Sequence, residues 1–277
     1  MPKQCGYCET RDGAKIYFED EGKGQPLVLI HGWNCSGRFW RRNVPGLAGR
    51  FRVITMDLRG HGNSSKILSG HTIADYAKDV RTLLEYLELS NAFLVGWSMG
   101  GPVVLAYWRQ YLHDHRLSAL GLVDTAPAPF SSGDWNSHGL KDSNVDSLNA
   151  ALAALTADPR QFYISFATNM FKNNPSPQDL DWIVGELAKT PPWIAGAIYS
   201  DFVISDYTAV LPTITVPAIV FACDSRLFAD GIKMGRYLAD HIPSASFTQF
   251  TDAGHILFYE QPEVFNQSLR QFVARLV

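Results

Sequence analysis

Ala92-Phe93-Leu94-Val95-Gly96-Trp97-Ser98-Met99-Gly100-Gly101-Pro102-Val103-Val104 is the stretch that decides the fold. Its first four residues are an apolar run of strand length. Gly96 to Gly100 then fits G-x-S-x-G, and Pro102 to Tyr111 reads as a helix. A serine at a sharp strand-to-helix turn needs glycines around it, because side chains there would clash across the turn. Such a turn lifts the hydroxyl above the sheet edge. It also sets the serine at a helix N-terminus, where developing negative charge is favoured. Ser98 is therefore the candidate nucleophile.

The same pattern of an apolar run halted by a turn residue repeats outward from this point. Pro26 to Ile30 stops at His31-Gly32, and Arg52 to Met56 stops at Asp57. Leu117 to Val123 stops at Asp124, while Val216 to Cys223 and Ser246 to Phe250 follow later. Residues 14–20 read as an earlier strand. Helical patterns lie between these runs. In residues 72–88, Ile73, Tyr76, Ala77, Val80, Leu83, Leu84 and Leu87 share one face, and Thr72 is placed as an N-cap. Residues 99–111, 229–240 and Pro262–Leu276 also read as helices. Alternation of this kind predicts a parallel sheet covered on both faces. Residues 128–208 break the rhythm with helices joined by Asp158-Pro159, Asn174-Pro175 and Pro191-Pro192. The gap is too long for an ordinary loop. It predicts a helical cap (128–208) inserted into a core made of residues 1–127 and 209–277.

Composition narrows the function. A chain of 277 residues with 46% hydrophobic content can bury a large core, so neither metal nor disulfide is needed to hold it. A net charge of -3 argues against nucleic acid. No run has the length of a membrane span. The start, Met1-Pro2-Lys3-Gln4-Cys5, lacks a signal pattern, so a cytoplasmic location is the default expectation. Cys5 and Cys8 form C-x-x-C in strand-like sequence. A redox pair would open a helix and a zinc site would need a second pair, so the spacing is read as coincidental.

Four motifs in order, each at a strand end, resemble the α/β-hydrolase family. They are His31-Gly32-Trp33, Asp57-Leu58-Arg59-Gly60-His61-Gly62-Asn63-Ser64, Gly96 to Gly100, and Ala253-Gly254-His255. The resemblance spans nearly the whole chain. It is nearest in kind to esterase, perhydrolase and lactonase-like members. It implies a mostly parallel eight-stranded sheet with an inserted helical cap and no cofactor. Ser98 in place of Asp sets the chain apart from haloalkane dehalogenases and epoxide hydrolases. His31-Gly32-Trp33 differs from the H-G-G-G of large lipases. Prolyl peptidases of this fold stay open.

On this resemblance His255 is the general base, since a neutral imidazole suits proton transfer near neutral pH. The amides of Trp33 and Met99 are expected to form the oxyanion hole, and the Trp33 and Trp97 rings either to meet substrate or to serve only as packing. His31 and His61 are expected to hold their loops, and Asp57 and Arg59 to form a local ion pair. His71, His113, His115, His138 and His241 read as surface residues, and no histidine spacing suggests a metal. The triad acid has two candidates. The commoner family position, three residues past a glycine after the seventh strand, falls on Ser225, with Asp224 one residue early. Asp124 ends the sixth strand, where an unpaired carboxylate would be costly to bury. Asp124 is preferred and Asp224 is the alternative.

The expected activity is hydrolysis of a small-to-medium, largely apolar carboxylic ester or lactone. No basic cluster suits an anionic substrate, and the aromatics of the insertion are hardly denser than in the chain as a whole, so most of them are read as the insertion's own core. Rival readings are a cofactor-free dioxygenase of heteroaromatic rings, a perhydrolase or haloperoxidase-like enzyme, and a non-catalytic small-ligand receptor. The substrate's identity and the oligomeric state are not encoded legibly.

Overall fold

A computed structural model describes residues 3–112 and 115–276. Met1, Pro2, His113, Asp114 and Val277 lie outside it, and with them the surface expectation for His113 and the first residues of the supposed leaderless start.

Eight strands form one sheet in the order β1-β2-β4-β3-β5-β6-β7-β8. They are β1 (Gln4–Glu9), β2 (Lys15–Gly22), β3 (Gln25–Ile30), β4 (Phe51–Met56), β5 (Ala92–Trp97), β6 (Leu117–Val123), β7 (Ala218–Ala222) and β8 (Ala245–Gln249). β1 and β2 pair antiparallel, as do β2 and β4; every other pairing is parallel. The burial follows the pairing. β5 and β7 are buried along their whole length, which requires the unbroken apolar runs seen in the sequence. β2, near the edge, alternates between buried and more exposed positions. β1 is an additional strand that the apolar-run reading overlooked. As an edge strand it buries only Cys8, so it carries no apolar run. Cys5 is exposed and Cys8 buried, each a free thiol, because residues three apart on a strand point to opposite faces.

The helices are α1 (Val44–Leu47), α2 (Ile73–Tyr86), α3 (Gly100–Gln110), α4 (Val145–Ala157), α5 (Pro159–Met170), α6 (Pro177–Leu187), α7 (Pro192–Ile204), α8 (Gly231–His241), α9 (Leu257–Glu260) and α10 (Pro262–Ala274). Thr72 caps α2: its hydroxyl accepts from the Asp75 amide at 3.1 Å and donates to the Asp75 carboxylate at 2.8 Å. α3 packs on β5 and β6, and α8 on β7 and β8. From α10, Phe272 meets Phe93 of β5 and Phe265 meets Phe221 of β7. α4 to α7 all fall between β6 and β7. Three of the four begin with proline at the first turn, and Asp158 and Ser176 cap α5 and α6. The Asp-Pro read as a turn is thus a helix start, with a cap and a preset φ side by side.

Candidate active site

Ser98 links β5 to α3 at φ +54°, in the left-handed region that a side chain tolerates only under constraint. The constraints are visible. The Ser98 amide donates to Val123 O at 3.0 Å, and the Thr125 hydroxyl donates to Ser98 O at 2.7 Å. A Cβ on Gly96 would run into the Gly100 carbonyl, and one on Gly100 would lie 2.7 Å from Ile30 O. Only glycine fits on either side of the turn. Ser98 is half-buried while both its neighbours are buried.

Asp124, at the end of β6, also has positive φ (+40°), and its amide donates to Phe221 O of β7 at 2.8 Å. Its carboxylate meets His255 Nδ1 at 2.6 Å through Oδ2, while Oδ1 accepts from the Cys223 amide at 3.3 Å. Burial pushes the Asp124 carboxyl above the ordinary range; the His255 and Cys223 contacts oppose that push. Asp224 takes no part. It is exposed, and its Oδ1 accepts from the Ile232 amide at the start of α8. The structure thus pairs His255 with the first of the two candidate acids.

His255 sits between β8 and α9 on a short loop held from three directions. Trp97 Nε1 donates to His255 O at 2.8 Å, Cys223 Sγ donates to Gly254 O at 3.0 Å, and the Gly254 amide donates to Glu260 Oε2 at 2.6 Å. The Phe228 ring stands edge-on to the imidazole, centroids 4.8 Å apart. The expectation for Trp97 needs correction. Its ring is 1% exposed and lies among Phe39, Phe258 and His255, so it cannot meet a substrate. An indole N–H spent on the His255 carbonyl makes Trp97 a positioning residue instead.

The His31–Trp33 loop comes up against Ser98, since a Cβ on Gly32 would be 3.0 Å from Ser98 Cβ. Among the described residues neither the Trp33 nor the Met99 amide donates to a backbone acceptor. His31 orders this loop. Its Nε2 accepts from the Leu58 amide at 2.9 Å and its Nδ1 donates to Gly32 O at 2.7 Å. Burial lowers its pKa to about 4, so it stays neutral and keeps both bonds. The Trp33 ring packs against Phe162, Phe166 and Tyr199, and its Nε1 donates to Ala195 O at 2.9 Å.

Two further expectations are corrected. Asp57 and Arg59 do not pair. Asp57 accepts from the Gly37 and Asn63 amides at 2.7 Å each, while Arg59 binds Asp79 and Asp12 at 2.6 Å. His71 and His138 are not surface residues. His71 is 7% exposed and bonded to Ile67 O, and His138 is half-buried between Phe202 and Phe228. Among the described residues no group of three or more His, Cys, Asp or Glu is placed to hold a metal ion, and no helix is long and apolar enough to cross a membrane.

A nucleophile elbow, a buried carboxylate–imidazole pair and a histidine-ordered loop on this sheet define the class. The alpha/beta hydrolase fold family matches residues 25–262, and the chain belongs to it. It is similar to a non-heme chloroperoxidase of Streptomyces lividans, 31% identical across 97% of this chain and 99% of that one. It is also similar to a bifunctional esterase/perhydrolase of Acinetobacter calcoaceticus, 27% identical across 97% and 99%. Among solved structures, a bromoperoxidase from Bacillus anthracis superposes with a TM-score of 0.89 at 28% identity, covering 98% of this chain and all of that one.

Proposed function

We propose that this chain is a serine hydrolase of small-to-medium, largely apolar carboxylic esters or lactones. The observation that carries the reading is the 2.6 Å contact between Asp124 and His255, buried beside the elbow that presents Ser98. Ser98 Oγ attacks the carbonyl carbon as His255 Nε2 takes its proton. The charge on the carbonyl oxygen falls to the Trp33 and Met99 amides, which have no backbone acceptor among the described residues. His255 returns the proton to the leaving alcohol. It then deprotonates the water that releases the acid from the acyl-enzyme. Asp124 keeps Nδ1 protonated, so Nε2 faces the serine as an acceptor. Residues 128–208 act as the cap: Phe162, Phe166, Tyr199 and the Ala195 carbonyl close on Trp33 and exclude water above the serine.

Labelling with a fluorophosphonate, together with turnover of p-nitrophenyl esters and lactones of graded chain length, tests the reading. Stoichiometric labelling at Ser98 and saturable hydrolysis are expected. A chain that neither labels nor hydrolyses any member of the panel sinks it.

A second reading is favoured by the chloroperoxidase and esterase/perhydrolase relatives. Hydrogen peroxide replaces water at the acyl-enzyme, giving a peracid and free Ser98. Bromide oxidation that needs both peroxide and a carboxylic acid, and stops in Ser98→Ala, identifies it.

A further inference from the structure

His138 lies in the segment between β6 and α4, and its setting is built in detail. The Asn136 side-chain amide donates to Pro129 O at 2.9 Å and Ser131 O at 2.7 Å, while its Oδ1 accepts from the His138 amide at 3.0 Å. The Gly139 amide donates to Leu227 O at 3.2 Å, and His138 forms an isolated bridge with Phe228. Phe228 is itself fixed, because its amide and carbonyl both bond to Ser225. The ring order is then His138, Phe228, His255, with successive centroids 4.9 Å and 4.8 Å apart. Phe202 of α7 closes the other side of His138 at 6.2 Å.

The tautomer follows from one bond. The Leu140 amide donates to His138 Nδ1 at 3.1 Å, so Nδ1 carries no proton and the neutral ring carries it on Nε2. Burial and the nearby His255 hold the His138 pKa down to about 3, which keeps that tautomer at any working pH. Among the described residues no protein group accepts from Nε2–H. The ring is nonetheless only half-buried. Nε2–H is thus a donor with no protein acceptor, on a ring that stands one aromatic side chain, Phe228, away from the His255 imidazole.

We infer that His138 determines specificity, its Nε2–H donating a hydrogen bond to an oxygen acceptor carried by the substrate away from the scissile carbonyl. This rests on the ester-hydrolase reading above. The favoured substrates are then esters whose acyl or alcohol part bears an ether, keto or ring oxygen. A purely hydrocarbon ester leaves the donor unsatisfied and is accepted less well, since a buried polar group without a partner costs free energy. The other lining groups near His138, Phe202 and Phe228, are apolar and cannot supply this discrimination.

The test uses two isosteric pairs: p-nitrophenyl 3-methoxypropanoate against p-nitrophenyl pentanoate, and 2-methoxyethyl butyrate against butyl butyrate. Comparing the ether-to-hydrocarbon ratio of kcat/KM between variant and wild type cancels intrinsic reactivity. In His138→Phe the ratio should fall about tenfold for at least one pair, the worth of one neutral hydrogen bond, through slower ether-ester turnover, faster hydrocarbon-ester turnover, or both. His138→Gln keeps an N–H near the Nε2 position and should keep most of the preference. Unchanged ratios for both pairs in His138→Phe overturn the inference. If that variant does not fold, the Ser98→Ala protein decides without turnover. There the His138 Nε2 proton should shift downfield on binding the ether ester and not its hydrocarbon twin; equal shifts overturn the inference. Because that measurement needs no hydrolysis, it also separates failure at His138 from failure of the ester reading.

Discussion

At the scale of single residues, Ser98 and Asp124 share an unusual property: each has positive φ at the end of a buried strand. The two strained residues are each tied by a backbone bond to the next strand, Ser98 N to Val123 O of β6 and Asp124 N to Phe221 O of β7. Removing either functional group should therefore change chemistry without changing the fold. Ser98→Ala should lower ester turnover by about 10⁴-fold or more while leaving the circular dichroism spectrum and Tm unchanged. Near-wild-type hydrolysis would mean that Ser98 is not acylated. Asp124→Asn should cost on the order of 10³–10⁴ in kcat, because an amide neither fixes the tautomer of His255 nor stabilises its charged form. Asp224→Asn, which alters only a contact to the Ile232 amide, should stay within about tenfold of wild type. Steady-state kinetics on one p-nitrophenyl ester ranks the two variants, and the reverse ranking would refute the assignment. Ser98, Asp124 and His255 could be picked from the sequence because each ends or follows an apolar run. The surroundings of Trp97 could not. Its neighbours Phe39, Phe258 and His255 come from distant segments, so nothing local distinguishes a lining ring from a packed one.

At the scale of elements, burial decided what was legible. The parallel strands announce themselves because both faces are covered, and seven of the eight were found within a few residues of their ends. β1 showed only as strand-like sequence around Cys5 and Cys8 and not as an apolar run, because its six residues bury one side chain. Arg59 was paired with its neighbour Asp57, but its partners Asp79 and Asp12 lie 20 and 47 positions away and reach it only through the fold. Local chemistry was more dependable at helix starts. Thr72 satisfies the Asp75 amide at the head of α2, and Asp201 of α7 accepts from the Ile73 amide at 2.7 Å. Thr72→Ala removes only the first of these. It should lower stability by about 1 kcal/mol in urea unfolding, with no change in kcat. A neutral result would show that Asp201 suffices to cap the helix.

The whole molecule carries a pH signature written by its buried histidines. His31 is held at about 4 and His138 at about 3, His61 lies well below its ordinary value, and His71 is lowered as well, all chiefly by burial. Each is neutral when folded and takes up a proton on unfolding once the pH falls below the ordinary imidazole value of about 6.5. Their contribution to stability is complete above that pH and is lost as the pH drops toward the folded values. Asp57, raised to about 6 by the same burial, works in the opposite sense: its contribution is present at low pH and is lost as the pH rises through about 6. The two trends overlap, so a comparison isolates one group. His61→Phe offers a ring of similar size with no proton to gain. The difference in unfolding free energy between this variant and wild type should move in the variant's favour by up to about 1.4 kcal/mol per pH unit below about 6.5. Urea titrations at pH 7.5, 6.0 and 5.0 measure it, and a difference independent of pH would show that the fold does not lower the His61 pKa.

The contact between Asp124 and His255 joins residues 131 positions apart, with the entire helical insertion between them. Ser98 and Asp124, by contrast, end neighbouring strands and lie close together in the chain. Assembly during synthesis therefore has a built-in order. A ribosome-bound chain that has made Ser98 and Asp124 still lacks His255, and closing a contact over so long a loop costs more chain entropy than a local one. On the proposed mechanism, reactivity toward esters is withheld until His255 has been made and folded into place beside Asp124. A truncated product ending anywhere before residue 255 would carry Ser98 without the imidazole proposed here to deprotonate it.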